Sequence, residues 1–416
     1  MSRHGNRAAL LVVLLSLFII ATATVASASG GYGLRSRAFP GYEPPGELVA
    51  SSAMVVDLIT GDVLFEQNAD ARMGPASLVK VATLSMVFEA LEEGRIALDD
   101  EIEVSERAWS ANVPGSKMFI EVGERIPLHD LMQGIAVASG NDACIAVAEH
   151  LGGTEEGFVA SMNRLARDLD MEDTLFANSH GLPAEGQYTT ARDVAKLARY
   201  FSLRFPEGEN YTSQEEFVYG VATPHRHWNG LLFRDDRVVG LKTGYTGDSG
   251  FHLAATARDG DRYYLAVVMG IGAENSMEYP EGTATREDEA LRLLNWAFEN
   301  FELYDVPAPD ELDDTVRIYG GSILDLGLHM DPNRGALTLP TGTGESLVYR
   351  VDIEEPLRAP LSTDDPVGSV EVFWPTGDGE EELHLATWSV FPGEDVAPGG
   401  LWRRFIDWLI LLFSAG

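Results

Sequence analysis

The amino-acid sequence predicts an α+β fold, with helices packed on an antiparallel sheet, followed by a small all-β domain and a C-terminal amphipathic helix. Three observations carry that prediction. A hairpin-like pair of alternating stretches at 53–65 precedes several helical periodicities, and closely spaced apolar stretches follow them, an order that packs helices on one sheet. At about residue 305 the chain changes to short alternating stretches punctuated by Pro and Gly, the pattern of a small β-domain. The 416 residues suffice for two or three domains, and 45% hydrophobic against 23% charged residues argues against wholesale disorder.

The elements follow in order. Arg3 and Arg7 precede an apolar run from Ala8 to Val25 and the small residues Ala26-Ser27-Ala28. Residues 1–28 therefore read as a secretory signal peptide cleaved after Ala28, with an uncleaved signal anchor as the alternative; both export the rest of the chain. No cysteine stands near that site, which excludes a lipoprotein. Residues 29–46, rich in Gly, Pro and Ser, read as an extended lead-in linker.

The first domain is expected over 47–304. Ala53–Asp57 and Asp62–Phe65 read as strands joined by a turn at Thr60-Gly61. A helix is expected from Ser77 to Glu92, stopped by Gly94, with further helices at 128–150, 155–169 and 190–201. Strands are expected at 238–243, 251–257 and 262–269, and a helix carrying Leu291, Leu294, Trp296 and Phe298 closes the block. Residues 305–396 then read as a small β-sandwich, with strands such as Val316–Tyr319, Ser346–Val351 and Val370–Phe373.

Residues 397–416 begin at a Pro-Gly-Gly hinge and continue as about 13 helical residues, about 20 Å, too short to cross a hydrocarbon core of about 30 Å. Arg403 and Asp407 lie four apart beside Arg404, a narrow polar stripe against a broad aromatic and aliphatic surface. Such a helix is expected to lie in a membrane interface; the alternative is a terminal helix packed on its own domain.

Charge and cysteine content remove other functions. The formal net charge is −35, so a nucleic-acid partner is excluded, because phosphate binding needs a basic footprint. The one cysteine, Cys144, allows no intrachain disulfide and no Cys₂-type zinc site, and it reads as a small buried hydrophobe. Only four of the 30 basic residues are lysines: Lys80, Lys117, Lys196 and Lys242. Codon bias towards Arg accounts for that scarcity but not for 65 acids, which suit an exported protein in a saline habitat.

Two of these lysines sit in motifs that fit one mechanism. Pro75-Ala76-Ser77-Leu78-Val79-Lys80 places a hydroxyl and an amine three apart at a helix start, where they share a face and where N–H groups favour negative charge. Ser139-Gly140-Asn141 follows 62 residues after Ser77, and Lys242-Thr243-Gly244 comes 103 residues later at the end of an apolar strand. Each motif alone is weak. All three in this order belong to penicillin-binding proteins and class A β-lactamases.

The stretch from Ser51 to about Glu302 resembles the low-molecular-mass D-alanyl-D-alanine carboxypeptidases, penicillin-binding proteins of peptidase family S11. Besides the three motifs, Phe176-Ala177-Asn178-Ser179-His180-Gly181-Leu182-Pro183, Gly240–Thr246 and Tyr188-Thr189-Thr190-Ala191-Arg192-Asp193 carry the likeness. The resemblance implies a serine β-lactamase/transpeptidase-like domain. Its substrate would be a peptidoglycan pentapeptide, its inhibitors β-lactams, and its site would need no cofactor and no metal. Location would be peripheral, on the periplasmic face of the cytoplasmic membrane through the C-terminal helix.

By the same resemblance Ser77 is the nucleophile, Lys80 its base, Ser139 a proton relay to the leaving D-Ala, and Asn141 the residue that orients Lys80 and the acyl side chain. Burial and the nearby Lys242 are expected to keep Lys80 neutral. Lys242 and Thr243 hold the terminal carboxylate, Gly244 lets substrate backbone approach the strand edge, and the N–H groups of Ser77 and Tyr245 form the oxyanion hole. Two features depart from the family pattern: Tyr245 stands where relatives often have His, and 273–286 is an acidic segment where relatives turn more tightly.

Other readings weigh less. A class A-like β-lactamase would need a Glu for deacylation, and Glu172 lies roughly where one could sit. A membrane-tethered muropeptide-binding protein with weak turnover is the alternative of another class. His225 and His227 read as exposed loop histidines rather than metal ligands, and His180 as structural.

Overall fold

The computed structural model describes residues 31–414 apart from 38, 43–45, 221–223, 313 and 377–380. The expected signal peptide at 1–28 lies outside these residues. Five strands make the central antiparallel sheet: β1 (Ser52–Asp57), β2 (Asp62–Gln67), β3 (Val238–Thr246), β4 (Gly250–Asp259) and β5 (Arg262–Ile271), in the order β2-β1-β5-β4-β3. Arg35–Ser36 adds a short parallel pairing to β2. The lead-in is thus partly docked rather than simply extended, and Phe39 packs against Phe301 and Trp374.

β1 and β5 are buried on both faces, and alternation sends successive side chains to opposite cores. Met54, Val56, Leu265 and Val267 join the core under the helices α1 (Val79–Glu92), α2 (Leu128–Ala136), α3 (Asn141–Gly152), α4 (Glu155–Asp168) and α5 (Ala191–Arg204). Ala53, Val55, Ala266 and Val268 join the other core, under α6 (Tyr279–Asn300). That second core runs on into the small domain through Leu337, Val370 and Trp374, so a continuous apolar cluster joins the two parts.

One expectation about the helices is revised. Residues 128–150 were expected as one helix; they form α2 and α3, broken at 137–140 with Ser139 at φ +56°. The cause lies outside the local sequence. The buried Asp142 carboxylate accepts the N–H groups of Met118 and Phe119, and Asn141 N–H donates to the Ser116 carbonyl, so the 116–120 loop takes the place that a continuous helix would occupy. Apolar periodicity continues through the break and hides it. In the acidic segment 273–286, a short 3₁₀ turn at Ala273–Asn275 is followed by α6, which starts at Tyr279 with Pro280 in its first turn.

In the small domain, Leu328–Met330, Glu382–Pro392, Gly368–Pro375 and Val348–Ile353 form a four-stranded antiparallel sheet in that order. Phe301–Tyr304, expected at the end of the first domain, pairs with Leu337–Pro340. The C-terminal helix α7 (Leu401–Ser414) docks by its polar side: Asp407 is 3% exposed, accepts the Gly320 N–H at 2.8 Å and faces Arg317 at 3.3 Å. Trp402, Phe405, Trp408 and Phe413 remain exposed. The helix does pack on its own domain, yet not with its aromatic face. No helix among the described residues is long and apolar enough to cross a membrane.

Candidate active site

Ser77 lies in a 3₁₀ turn, Ala76–Leu78, that leads into α1, rather than in the α-helix itself. Ala76 takes φ +47°. The turn is clamped from two sides. Gly181, at φ +94°, approaches so closely that a Cβ there would stand 1.8 Å from the Ala76 carbonyl oxygen. Gly244 of β3 lies on the other side, where a Cβ would stand 3.2 Å from the Ser77 backbone nitrogen. Both glycines answer a steric demand, and they bring the Ser-His-Gly loop and the Lys-Thr-Gly strand against Ser77.

Lys80, one turn along from Ser77, is fully buried. Its Nζ lies 3.0 Å from Ser77 Oγ, 2.7 Å from Asn141 Oδ1 and 2.6 Å from the His180 carbonyl oxygen. Asn141 is oriented by donating its Nδ2 to the Pro114 carbonyl at 2.8 Å, which turns its oxygen to Lys80. Two of these three partners can only accept. A neutral Lys80 amine therefore spends both N–H bonds on Asn141 and His180, and its lone pair is left for the Ser77 hydroxyl proton. Burial pushes the Lys80 ammonium down to about 8, while Cys144 and Asp142 pull the other way. The expected repulsion between Lys80 and Lys242 is present: burial, then Lys80, then Arg286 drive Lys242 well below the usual lysine value.

Of the remaining sequence-predicted residues, Asn141 holds Lys80 and Gly244 lies against the Ser77 turn. Ser139 and Asn141 are buried across the α2–α3 break, and Lys242 and Thr243 are buried in β3 with Gly244 at its edge. Tyr245 turns its ring onto Phe251 and onto Tyr279, the first residue of α6, with centroids 4.3 and 4.8 Å apart. The two departures from the family pattern, Tyr245 and the 273–286 segment, are thus one packing unit. A cavity of about 430 Å³ opens beside Ala76 and is lined by Pro75, Gly181, Pro183, Thr246 and Ser249 among others.

His180 is buried and held neutral, lowered to about 4 by burial and then by Lys80. Its Nδ1 accepts the Leu182 N–H, a structural role as expected, but its carbonyl also holds Lys80. Cys144 is fully buried and its thiol is pushed up to about 12 by burial, so it is an inert hydrophobe. Glu172 is exposed on the turn after α4 and is no partner of Ser77 or Lys80, which removes the deacylating carboxylate of a β-lactamase. No cluster of His, Cys, Asp and Glu able to hold a metal occurs among the described residues.

Sequence reasoning missed two residues. His227 was expected exposed; it is 4% exposed, because the segment 227–229 is tied down across the end of the site. Arg286 is 2% exposed, donates to the Trp228 carbonyl at 2.9 Å, and has a buried Nε that meets no partner among the described residues. A signal for Arg286 was present. It stands at 286 in the stripe 286, 290, 293, 294, 297, whose other members are all apolar and buried.

The comparisons show the family and the fold. The family model for D-alanyl-D-alanine carboxypeptidases matches residues 40–273. The D-alanyl-D-alanine carboxypeptidases DacC and DacD of Escherichia coli are each 33% identical, over 88% and 94% of this chain and 88% and 98% of their own. The crystal structure of penicillin binding protein 5 from Haemophilus influenzae superposes with a TM-score of 0.74 at 30% identity, covering 85% of this chain and 99% of that one. Penicillin binding protein 6B from Escherichia coli gives 0.67 at 31% identity, covering 86% and 99%. With its α+β domain, its β-domain and a serine beside a buried lysine, the chain belongs to the D-alanyl-D-alanine carboxypeptidase family, peptidase family S11, and is a serine-type carboxypeptidase.

Proposed function

We propose that the chain removes the terminal D-alanine from peptidoglycan pentapeptides by the following division of labour. Ser77 Oγ attacks the carbonyl of the D-Ala-D-Ala bond while the neutral Lys80 amine takes its proton. The oxyanion is met by the backbone N–H groups of Ser77 and Tyr245. As the C–N bond breaks, the proton passes through Ser139 to the leaving amine. Water then attacks the Ser77 ester, a proton returns to Ser77, and the shortened peptide leaves. Lys242 and Thr243 hold the terminal carboxylate, joined by Arg286, and Asn141 orients both Lys80 and the acyl side. A β-lactam, which also presents a reactive amide and a carboxylate, acylates Ser77 in the same way.

One observation carries this reading: Lys80 Nζ is fixed by two pure acceptors and has its third direction on Ser77 Oγ. Export by residues 1–28 and attachment of α7 to the outer surface of the cytoplasmic membrane complete the reading; the exposed Trp402, Phe405, Trp408 and Phe413 support that attachment. The test is Ser77→Ala, which is expected to abolish both D-Ala release and covalent labelling by a fluorescent penicillin. Normal labelling of that variant would overturn the assignment.

A further inference from the structure

The segment His227-Trp228-Asn229 crosses the Lys242 end of the site, and three hydrogen bonds tie it to three walls. Asn229 Nδ2 donates to the Gly240 carbonyl at 2.9 Å, two residues before Lys242. The Trp228 carbonyl accepts from Arg286 at 2.9 Å. The Trp228 indole N–H donates to the Ala138 carbonyl at 3.3 Å, next to Ser139. His227 heads this segment, and its Nδ1 accepts the Asn229 backbone N–H at 2.9 Å, which leaves the ring proton on Nε2. That Nε2–H is buried and meets no partner among the described residues.

A buried donor left unpaired is costly, so a native site that keeps one is a place for a ligand's acceptor. Here there are two such donors among the described residues, His227 Nε2–H and Arg286 Nε–H, on different elements: Arg286 bonds the residue after His227, and the charges of Lys242 and Arg286 both act on the His227 ring. Burial first, then the charges of Lys242 and Arg286, keep the imidazole neutral, at about 3. A neutral ring can donate there without adding a third charge to two cations that already repel each other.

We propose that His227 Nε2–H donates a hydrogen bond to the terminal carboxylate of the D-alanyl-D-alanine substrate, beside Lys242 and Arg286. His227 is then a specificity residue for free C-terminal acids. The inference rests on the reading of Lys242 as the carboxylate clamp.

Two substitutions separate the donor from the turn. In His227→Asn, the side-chain oxygen stands where Nδ1 stands and still accepts the Asn229 N–H, but nothing occupies the Nε2 position. In His227→Gln, the amide reaches the Nε2 position and the turn acceptor is lost. The readout is kcat/KM for release of the C-terminal residue from a peptide ending in free D-Ala-D-Ala, against the same peptide as its C-terminal amide. His227→Asn is expected to lower the acid-over-amide preference by about tenfold, the effect of one hydrogen bond to a charged group. His227→Gln is expected to keep the preference whatever its thermal stability, and if the Asn variant fails to fold, His227→Leu takes its place: it also lacks the turn acceptor but offers no donor, and it is expected to lose the preference that Gln keeps. An unchanged preference in His227→Asn, an equal loss on both peptides, or loss of the preference in His227→Gln would overturn the proposal. Lys242→Gln is the control: a lost preference there with none in His227→Asn faults the histidine alone, and no loss in either removes the clamp as well.

Discussion

Asp407, seven residues into the C-terminal helix, accepts the backbone N–H of Gly320 in the β-domain at 2.8 Å. Asp407 and Arg403 of the polar stripe are therefore engaged with the β-domain, with Arg317 beside the same carboxylate, while Arg404 stays exposed. The rest of the outward face is largely apolar: Trp402 is 74% and Phe413 80% exposed. The β-domain thus holds the helix with its aromatic face outward, the face on which the proposed membrane attachment rests.

Removing residues 399–416 is expected to abolish sedimentation with phospholipid vesicles and to leave D-Ala release unchanged. Asp407→Ala is expected to retain vesicle binding, because the apolar face is intact, while the melting temperature falls as Arg317 and the Gly320 N–H lose their partner. Vesicle binding by the truncated, signal-cleaved protein would show that another part of the chain reaches the bilayer.

The Lys80 contacts make a prediction about pH. The ammonium is lowered to about 8 by burial, and the neutral amine is the form that can take the Ser77 proton. Because the value is depressed, the active form grows as pH rises through about 8 and is lost below it. At pH 7 about one-tenth of the free enzyme is then in the competent form, and kcat/KM should climb about tenfold to a plateau near pH 9. A pH–rate profile of D-Ala release checks this, and a flat profile between about pH 6 and 9 would contradict Lys80 as the base.

Much of this site was legible because its motifs are local. Ser77 and Lys80 share a helical turn, and Lys242-Thr243-Gly244 runs along one strand, so spacing alone brings their members together. The His180 carbonyl that holds Lys80 lies 100 residues away in sequence, and a backbone acceptor leaves no trace in residue type. The α2–α3 break escaped for a similar reason, since Asp142 interrupts the helix through loop residues more than twenty positions earlier. His227 gave no local sign of burial, whereas Arg286 announced itself as a charge in an apolar stripe. The polar stripe of α7 was visible, but that it would dock depended on Gly320 and Arg317, far back in the chain.

Gly181 provides a test of how tightly the nucleophile is held. A methyl group there would collide with the Ala76 carbonyl, and φ +94° disfavours any side chain. The Ser77 turn and the Lys80 contact with His180 both depend on this loop. Gly181→Ala is expected to lower stability by about 2–4 kcal/mol, the range for strain at a special backbone position combined with overpacking. Its acylation by penicillin should slow by more than its unfolding explains, measured as the acylation rate of the folded fraction. A variant with wild-type acylation would mean that the loop does not position Ser77.

The final prediction comes from charge. The chain carries 65 acidic against 30 basic residues, and the cations are shared: Arg192 holds both Glu66 and Asp70, and Arg107 both Glu155 and Glu156. Two effects of salt then compete. Screening weakens exposed ion pairs, but each is worth only about 0–1 kcal/mol. Screening also relieves the self-repulsion of a net charge of −35 in the compact state, which acts over the whole surface. With so large an excess of one sign, relief outweighs loss. The Debye length shrinks from about 10 Å at 0.1 M to about 3 Å at 1 M, so the change should be nearly complete by about 2 M NaCl. Over that range the melting temperature should hold or rise, and D-Ala release should persist, because Ser77, Lys80 and Lys242 are sheltered from solvent ions or fixed by short contacts. Thermal unfolding and turnover measured across the salt series decide it, and a steady fall in melting temperature would show that the exposed pairs dominate.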